Sequence, residues 1–130
     1  MSDRLLLDTN VVIWLLSESE KVSPRAKRAL MKPSASLWVS VVSVWEIVMK
    51  HQAGKLRLGA AIEAVVDQVM HRSPWTILRL EPAHLPGVAK LPLIHKDPFD
   101  RMLIAQALHE QLTIVTSDDT IPNYEVSAIW

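Results

Sequence analysis

The sequence predicts an α/β fold: a three-layer sandwich in which a mainly parallel central sheet is flanked by helices. Three observations carry that expectation. Short apolar, β-branched runs alternate with segments of helical periodicity along the chain. Several runs end on an acidic or small polar residue, as strands do where they turn into a helix. The 130 residues, 49% hydrophobic and 22% charged, suffice for one ordinary core, so the whole of 1–130 is expected to form one domain.

The elements are expected as follows. "RLLLD" (4–8) is a strand, and "TNVVIWLLS" after it a helix that Asp8, Thr9 or Asn10 could cap. "SPRAKRALM" (23–31) places Ser23 at an N-cap and Pro24 at the first helical position. "SLWVSVVS" (36–43) is a strand running into "SVWEIVMKHQ", a helix opened by Ser43 and ending near Gly54. A basic connector, "KLRLG", leads to the helix "AAIEAVVDQVMHR" (60–72). "TILRL" (76–80) is a strand, and "PAHLPGVAKLP" a short proline-bounded piece. Pro98 opens a long helix whose stripe of Leu103, Ile104, Ala107 and Leu108 continues back onto Asp100. "LTIVTS" (112–117) is a further strand and "VSAIW" closes the chain.

Composition excludes several functions. Fourteen basic and fourteen acidic side chains cancel, so a nucleic-acid partner would need a local basic patch. Without cysteine there is no disulfide, thiol nucleophile or Cys-based zinc site, which fits a reducing compartment. The five histidines show no HxxxH spacing. Asp8 and Asn10 interrupt the apolar start, no signal-type cleavage site follows, and no run reaches the roughly 20 apolar residues of a membrane span. A cytoplasmic protein with no membrane association is expected.

In such sheets ligands gather beyond the carboxyl ends of the strands. Four acids fall there: Asp8 after the first strand, Glu46 in the first turn of the helix after "SLWVSVV", Asp100 at the head of its helix, and Asp118 after "TIVTS". Each has a plainer explanation. Asp8 can cap a helix, Glu46 can pair with Lys50 at i+4, and Asp118 and Asp119 can be turn residues. Asp100 can sit beside a capping Asp97 with Arg101 or Lys96 as partner. A helix dipole favours an anion by only about 0.3–1 kcal/mol, too little to offset burial of an unpaired carboxylate, so Asp100 needs a counter-charge.

Jointly the plain explanations leave unexplained why four junctions present an acid to one edge of the sheet. Hard oxygen ligands without Cys or clustered His suit Mg²⁺ or Mn²⁺. One or two such ions can activate water and stabilise the leaving oxygen of a phosphodiester displacement, which makes the cluster a candidate nuclease site.

In order and at similar spacing, "LLLDTNVVIWLL", "SVVSVWEIVMKHQAGKL", "HKDPFDRMLIAQA" and "TIVTSDD" resemble the PIN-domain toxins of VapC type. The likeness runs along essentially the whole chain. It implies a PIN-like fold and a Mg²⁺- or Mn²⁺-dependent endonuclease of single-stranded RNA, the toxin of a type II toxin–antitoxin pair. A cognate antitoxin protein and a homodimer come with it. By the same resemblance the catalytic, metal-binding acids are Asp8, Glu46, Asp100 and Asp118, with Asn10 and Thr116 orienting them by hydrogen bonds. Asp118 is preferred over Asp119 because the family pattern is Thr, any residue, Asp, as in Thr116-Ser117-Asp118. Asp97 and Pro98 start the helix, and Arg101 points away from the acids.

Lys50, His51, Lys55 and Arg57 form a basic run, of which Lys50 and Arg57 are candidate RNA contacts. Trp14, Trp38, Trp45 and Trp75 are expected in the core rather than stacked on bases. Two other functions compete. An Asp8-nucleophile phosphoryl-transfer enzyme would need a second Asp two residues on or a late-strand Lys, where this chain has Asn10 and "TSDD". A non-catalytic PIN-like interaction module would not need all four acids.

Overall fold

A computed structural model describes residues 3–130. Five strands form one sheet: β1 (Arg4–Leu7), β2 (Ser36–Ser40), β3 (Thr76–Leu78), β4 (Thr113–Val115) and β5 (Ala128–Ile129). Their order is β3-β2-β1-β4-β5 and every pairing is parallel. Six α-helices connect them: α1 (Thr9–Ser17), α2 (Pro24–Leu30), α3 (Val41–Gln52), α4 (Ile62–Asp67), α5 (Leu85–Lys90) and α6 (Pro98–Glu110). α4 continues into a π-helical turn over Gln68–Arg72. Among the described residues no helix is long and apolar enough to cross a membrane.

The central strand shows why the layers form. Successive strand residues face opposite sides. Leu5 and Leu7 therefore enter a core with Val11, Val12, Val39 and Ile47, while Leu6 joins Leu103, Ile104, Ala107 and Ile114 on the other face. All three leucines are buried, which is what a parallel sheet covered on both sides requires. The mainly parallel α/β sandwich read from the sequence is thus the observed architecture.

Several local expectations hold. Ser23 caps α2, its hydroxyl accepting from Ala26 N at 3.1 Å with Pro24 at the first helical position. Asp97 caps α6 by accepting from Phe99 N and Asp100 N. Gly54 follows the end of α3 with φ +73°, a left-handed conformation that glycine adopts without a Cβ clash.

Others need correction. α3 starts at Val41, not at Ser43: Ser40 is the cap, its hydroxyl accepting from Val42 N at 3.0 Å. The β-branched residues that suggested a longer strand are the first turn of the helix, because burial of Val42 and Val44 overrides their strand propensity. Glu46 consequently sits in the second turn of α3 rather than the first. The strands expected over 76–80 and 112–117 shorten to Thr76–Leu78 and Thr113–Val115, and the helix expected over 60–72 begins at Ile62. On α6, Leu103, Ile104 and Ala107 are buried, but Leu108 is 43% exposed and the buried place goes to Gln106.

Gln106 explains that exchange. Its Oε1 accepts from Ser40 Oγ at 2.6 Å and its amide donates to Arg79 O at 3.4 Å, so a polar side chain on α6 ties together β2, α3 and the end of β3. Ser40→Ala should therefore remove both a helix cap and the partner of a buried amide oxygen, lowering stability by about 2–4 kcal/mol. Ser23→Ala, which loses only a partly exposed cap, should cost about 1 kcal/mol. Urea denaturation of the two variants checks the difference.

Candidate metal centre at the sheet switch point

From β1 the chain steps outward to β2 and β3 on one side and later returns to β4 and β5 on the other. The connections diverge beyond the carboxyl ends of β1 and β4, where an open sheet leaves a crevice. Asp8 follows β1, its backbone N–H donating to Val115 O of β4 at 3.0 Å. Thr116 and Asp118 follow β4, α3 brings Glu46, and the first turn of α6 brings Asp100.

Asp8 occupies the N-cap position of α1 yet makes no side-chain cap bond. It is only 4% exposed, and its Oδ2 accepts instead from Thr116 Oγ1 at 2.7 Å. Burial pushes its carboxyl up, against the Thr116 bond, and the charges of Glu46 and Asp118 push the same way. Thr116 Oγ1 also accepts from Asp118 N at 3.0 Å, so one hydroxyl orders both acids. Asn10 is exposed and makes no hydrogen bond to an acid among the described residues. The buried hydroxyl beside it, Thr9 Oγ1, donates to Ser43 Oγ at 2.9 Å and joins α1 to α3.

Glu46 is 3% exposed. Its Oε2 pairs with Lys50 Nζ at 2.9 Å, the i+4 pairing the sequence allows, but its Oε1 is buried without a hydrogen-bond partner among the described residues. Burial lowers the Lys50 ammonium, but Glu46, Asp97 and Asp100 together hold it above the usual lysine value.

Asp100 meets neither Arg101 nor Lys96. Arg101 turns away, donating to Pro92 O, Val88 O and Leu91 O. The partner of Asp100 is His95, whose Nε2 lies 3.0 Å from Asp100 Oδ2 and 2.9 Å from Asp118 Oδ2. Burial, then the charges of Asp8 and Asp97, raise the Asp100 carboxyl to about 7 despite His95. Burial also raises Asp118, but the His95 bond and the backbone donors of Thr120 and Ile121 outweigh it and hold this acid below the usual range. For His95, burial favours the neutral ring and the Asp118 bond and neighbouring acids favour the cation; the acids prevail and its pKa is raised. Asp119 is exposed, so Asp118 is the member of the pair that faces Asp100 and His95.

Sequence spacing did not single out His95. The signal lay in "HKDPFD": a histidine two residues before a helix cap can bind the cap residue's amide with Nδ1 and reach over the first turn with Nε2. A second His-containing group also forms without HxxxH spacing, His84 with His109 and Glu110. His84 Nδ1 accepts from Glu81 N, which leaves the hydrogen on Nε2 to donate to Glu110 Oε2 at 2.9 Å. That group pins the turn at Pro82–His84 to the end of α6 and has no nitrogen lone pair to offer from His84.

A cleft of about 470 Å³ is lined by Asn10, Glu18, Lys21, Lys50, Lys55 and Arg57 among others, and Lys50, which pairs with Glu46, links it to the acids. Trp14, Trp38 and Trp75 pack against the cores. Trp45 does not: it is 57% exposed beside Glu46, its ring edge-on to Phe99 with centroids 5.0 Å apart. The helical periodicity that buries Glu46 turns its neighbour outward.

The fold and site define a parallel α/β protein with a carboxylate-lined crevice at its switch point. The PIN domain model matches residues 5–126, and the chain belongs to the PIN domain family. Comparison with curated protein sequences gives no significant match. Among solved structures, the chain is similar to Rickettsia felis VapBC2 bound to a DNA fragment from its promoter, with a TM-score of 0.73, 13% identity and 97% of each chain covered. DNA-bound VapBC from Salmonella typhimurium gives 0.70 at 18% identity, and VapBC-1 from nontypeable Haemophilus influenzae 0.66 at 18%, each covering 97% of this chain and 96% of the other.

Folded-state pKa values raised at Asp8 and Asp100 have a direct consequence for stability. Between about pH 4 and 7 the folded protein binds more protons there than the unfolded chain, so stability falls as pH rises through this window. In EDTA, Asp100→Asn should melt higher than wild type at pH 7.5 and show little gain at pH 4. Thermal unfolding at the two pH values checks it.

Proposed function

We propose that the protein is a divalent-metal-dependent endoribonuclease that hydrolyses phosphodiester bonds of single-stranded RNA and serves as the toxin of a type II toxin–antitoxin pair. The observation that carries this reading is the buried, unpartnered Oε1 of Glu46, a carboxylate whose charge acts on both Asp8 and Asp100. A carboxylate oxygen removed from water without a donor is costly, and a hard cation is the partner that oxygen ligands with no cysteine fit. Asp8, Glu46, Asp100 and Asp118 would hold Mg²⁺ or Mn²⁺. A bound divalent ion supplies activation of water and neutralisation of charge at the leaving oxygen.

The chain's own residues do the rest. Thr116 fixes the Asp8 carboxylate by donating to Oδ2. Lys50 and Arg57, with Lys55, line the adjoining cleft and offer a path for RNA phosphates, to which Asn10 contributes an amide. Membership of the PIN domain family and the likeness to chains of VapBC complexes support the toxin role. With that role come a cognate antitoxin, a homodimer, a single domain spanning 1–130 and a cytoplasmic site of action.

Cleavage of a mixed single-stranded RNA should require Mg²⁺ or Mn²⁺, stop in EDTA, and fall to background in Asp8→Asn and Asp100→Asn. Full activity in either variant would refute the site. Thr116→Val, which loses only the orienting hydroxyl, should cost roughly 10–100-fold in activity or metal affinity.

For Arg57→Ala, RNA affinity should fall and the slope of log K against log salt should become shallower by about 0.7, the share of one phosphate contact on a single strand. Binding titrations at several salt concentrations read that slope, and an unchanged value would place Arg57 off the RNA path.

A further inference from the structure

Trp45 is the tryptophan that the packing leaves out. Among the described residues Trp14, Trp38, Trp75 and Trp130 pack against the two cores, whereas Trp45 joins neither and is 57% exposed. Its ring neighbour is Phe99, edge-to-face with 5.0 Å between centroids and 71° between planes. Such a contact uses one face of one ring, so at least one face of the Trp45 indole is left open by Phe99. Met49, one turn further along α3 and 46% exposed, extends the same side of the helix.

The place of this patch is set by the acids. Trp45 immediately precedes Glu46 on α3 and Phe99 immediately precedes Asp100 on α6, so the ring pair joins the two helices that carry those acids. With 3.6 residues per turn, Trp45 and Met49 lie about 100° and 60° to one side of Glu46, and Lys50 lies about 40° to the other. Glu46 therefore stands between an aromatic strip and the cleft that Lys50 lines with Lys55 and Arg57. A chain with anionic links and flat apolar side groups fits that order, its links toward the cations and a side group on the indole. Single-stranded nucleic acid has this chemistry, because its unpaired bases expose their faces and stacking on an aromatic ring accepts any base.

We propose that Trp45, backed by Phe99, is the platform on which one unpaired base of the RNA stacks beside the phosphodiester bond to be cut. The inference rests on the reading of the protein as a nuclease of single-stranded RNA and adds where a base of that substrate is held. It makes Trp45 a substrate-binding residue that sets the strand against the acids without reading sequence. A base paired and stacked within a duplex has no free face to offer it.

The test is a cycle between one side chain and one base. Wild type, Trp45→Ala and Trp45→Phe cut, with Mn²⁺, a short single-stranded RNA and a set of copies that each lack one base. In wild type, loss of the base next to the cut should lower kcat/KM by about 5–150-fold, the worth of one stacked base, mainly through KM. Trp45→Ala should lose a similar factor on the intact RNA and be indifferent to removal of that same base. Trp45→Phe, which keeps an aromatic face, should retain most of the activity and the sensitivity to that base. The ratio of intact to base-free cleavage is taken within each variant, so a loss of folded protein cancels.

Equal sensitivity to that base in wild type and Trp45→Ala, or equal cutting of intact RNA by both, would overturn the platform while leaving the nuclease intact. Failure of wild type to cut single-stranded RNA would overturn the functional reading and the platform with it. A second copy of the chain is the competing occupant of this face. Dissociation of a wild-type dimer by Trp45→Ala, read by sedimentation, would assign the face to that copy and overturn the proposal.

Discussion

Mutual repulsion of carboxylates gathered at one edge of a parallel sheet is the constraint around which this molecule is arranged. Asp8 feels Glu46 and Asp118, and Asp100 feels Asp8, Asp97 and Glu46. The acids are held by different devices: a threonine hydroxyl on Asp8, an ammonium on Glu46, and the His95 imidazole, which hydrogen-bonds Asp118 and stands 3.0 Å from Asp100. The devices do not balance fully. An oxygen of Glu46 stays unpartnered and the Asp100 carboxyl rises to about 7, so the cluster costs the fold stability at neutral pH.

What holds such a site together is the packing beneath it. β1 is buried on both faces, and it delivers Asp8 at the end of three consecutive buried leucines. Leu103 and Ile104, each fully buried, contribute roughly 1.5–3 kcal/mol apiece, more than the helix dipole could add at Asp100. Apolar anchoring therefore fixes α6, and the anchored helix carries Asp100 into the crevice. The same division applies to α3, where buried Val42, Val44 and Ile47 flank the acid they position.

Features written in local chemistry were legible from the sequence. Ser23 with Pro24, Asp97 with Pro98, and Gly54 announce helix ends by capping geometry or φ freedom, which depend on neighbours in the chain. The strand–helix alternation and the ordered acids also survive translation into structure, because a parallel sheet collects its strand ends on one edge. Features decided by distant residues were not legible. Ser40 and Ser43 are equally good caps on paper, and the choice is made by Gln106, 66 residues away. Leu108 looked buried by periodicity, but α6 rotates its polar Gln106 inward to meet Ser40. His95 meets Asp118 across 23 residues, a contact no spacing rule encodes.

The formal neutrality of the chain conceals a strong local polarity. Acids occupy the crevice while Lys21, Lys50, Lys55 and Arg57 line the cleft beside it, although Lys21 is paired with Glu18 and Lys50 with Glu46. Salt screens exposed charges over about 8 Å at physiological strength, so a polyanion arriving at the cleft meets the near cations rather than the net charge. It also meets the acids, which repel phosphate until a cation neutralises them. On the proposed function this orders binding: metal first, then substrate. Lys50 joins the two regions: its ammonium pairs with Oε2 of Glu46 while its side chain lines the basic cleft, so the oxygen that would be left to a cation is Oε1.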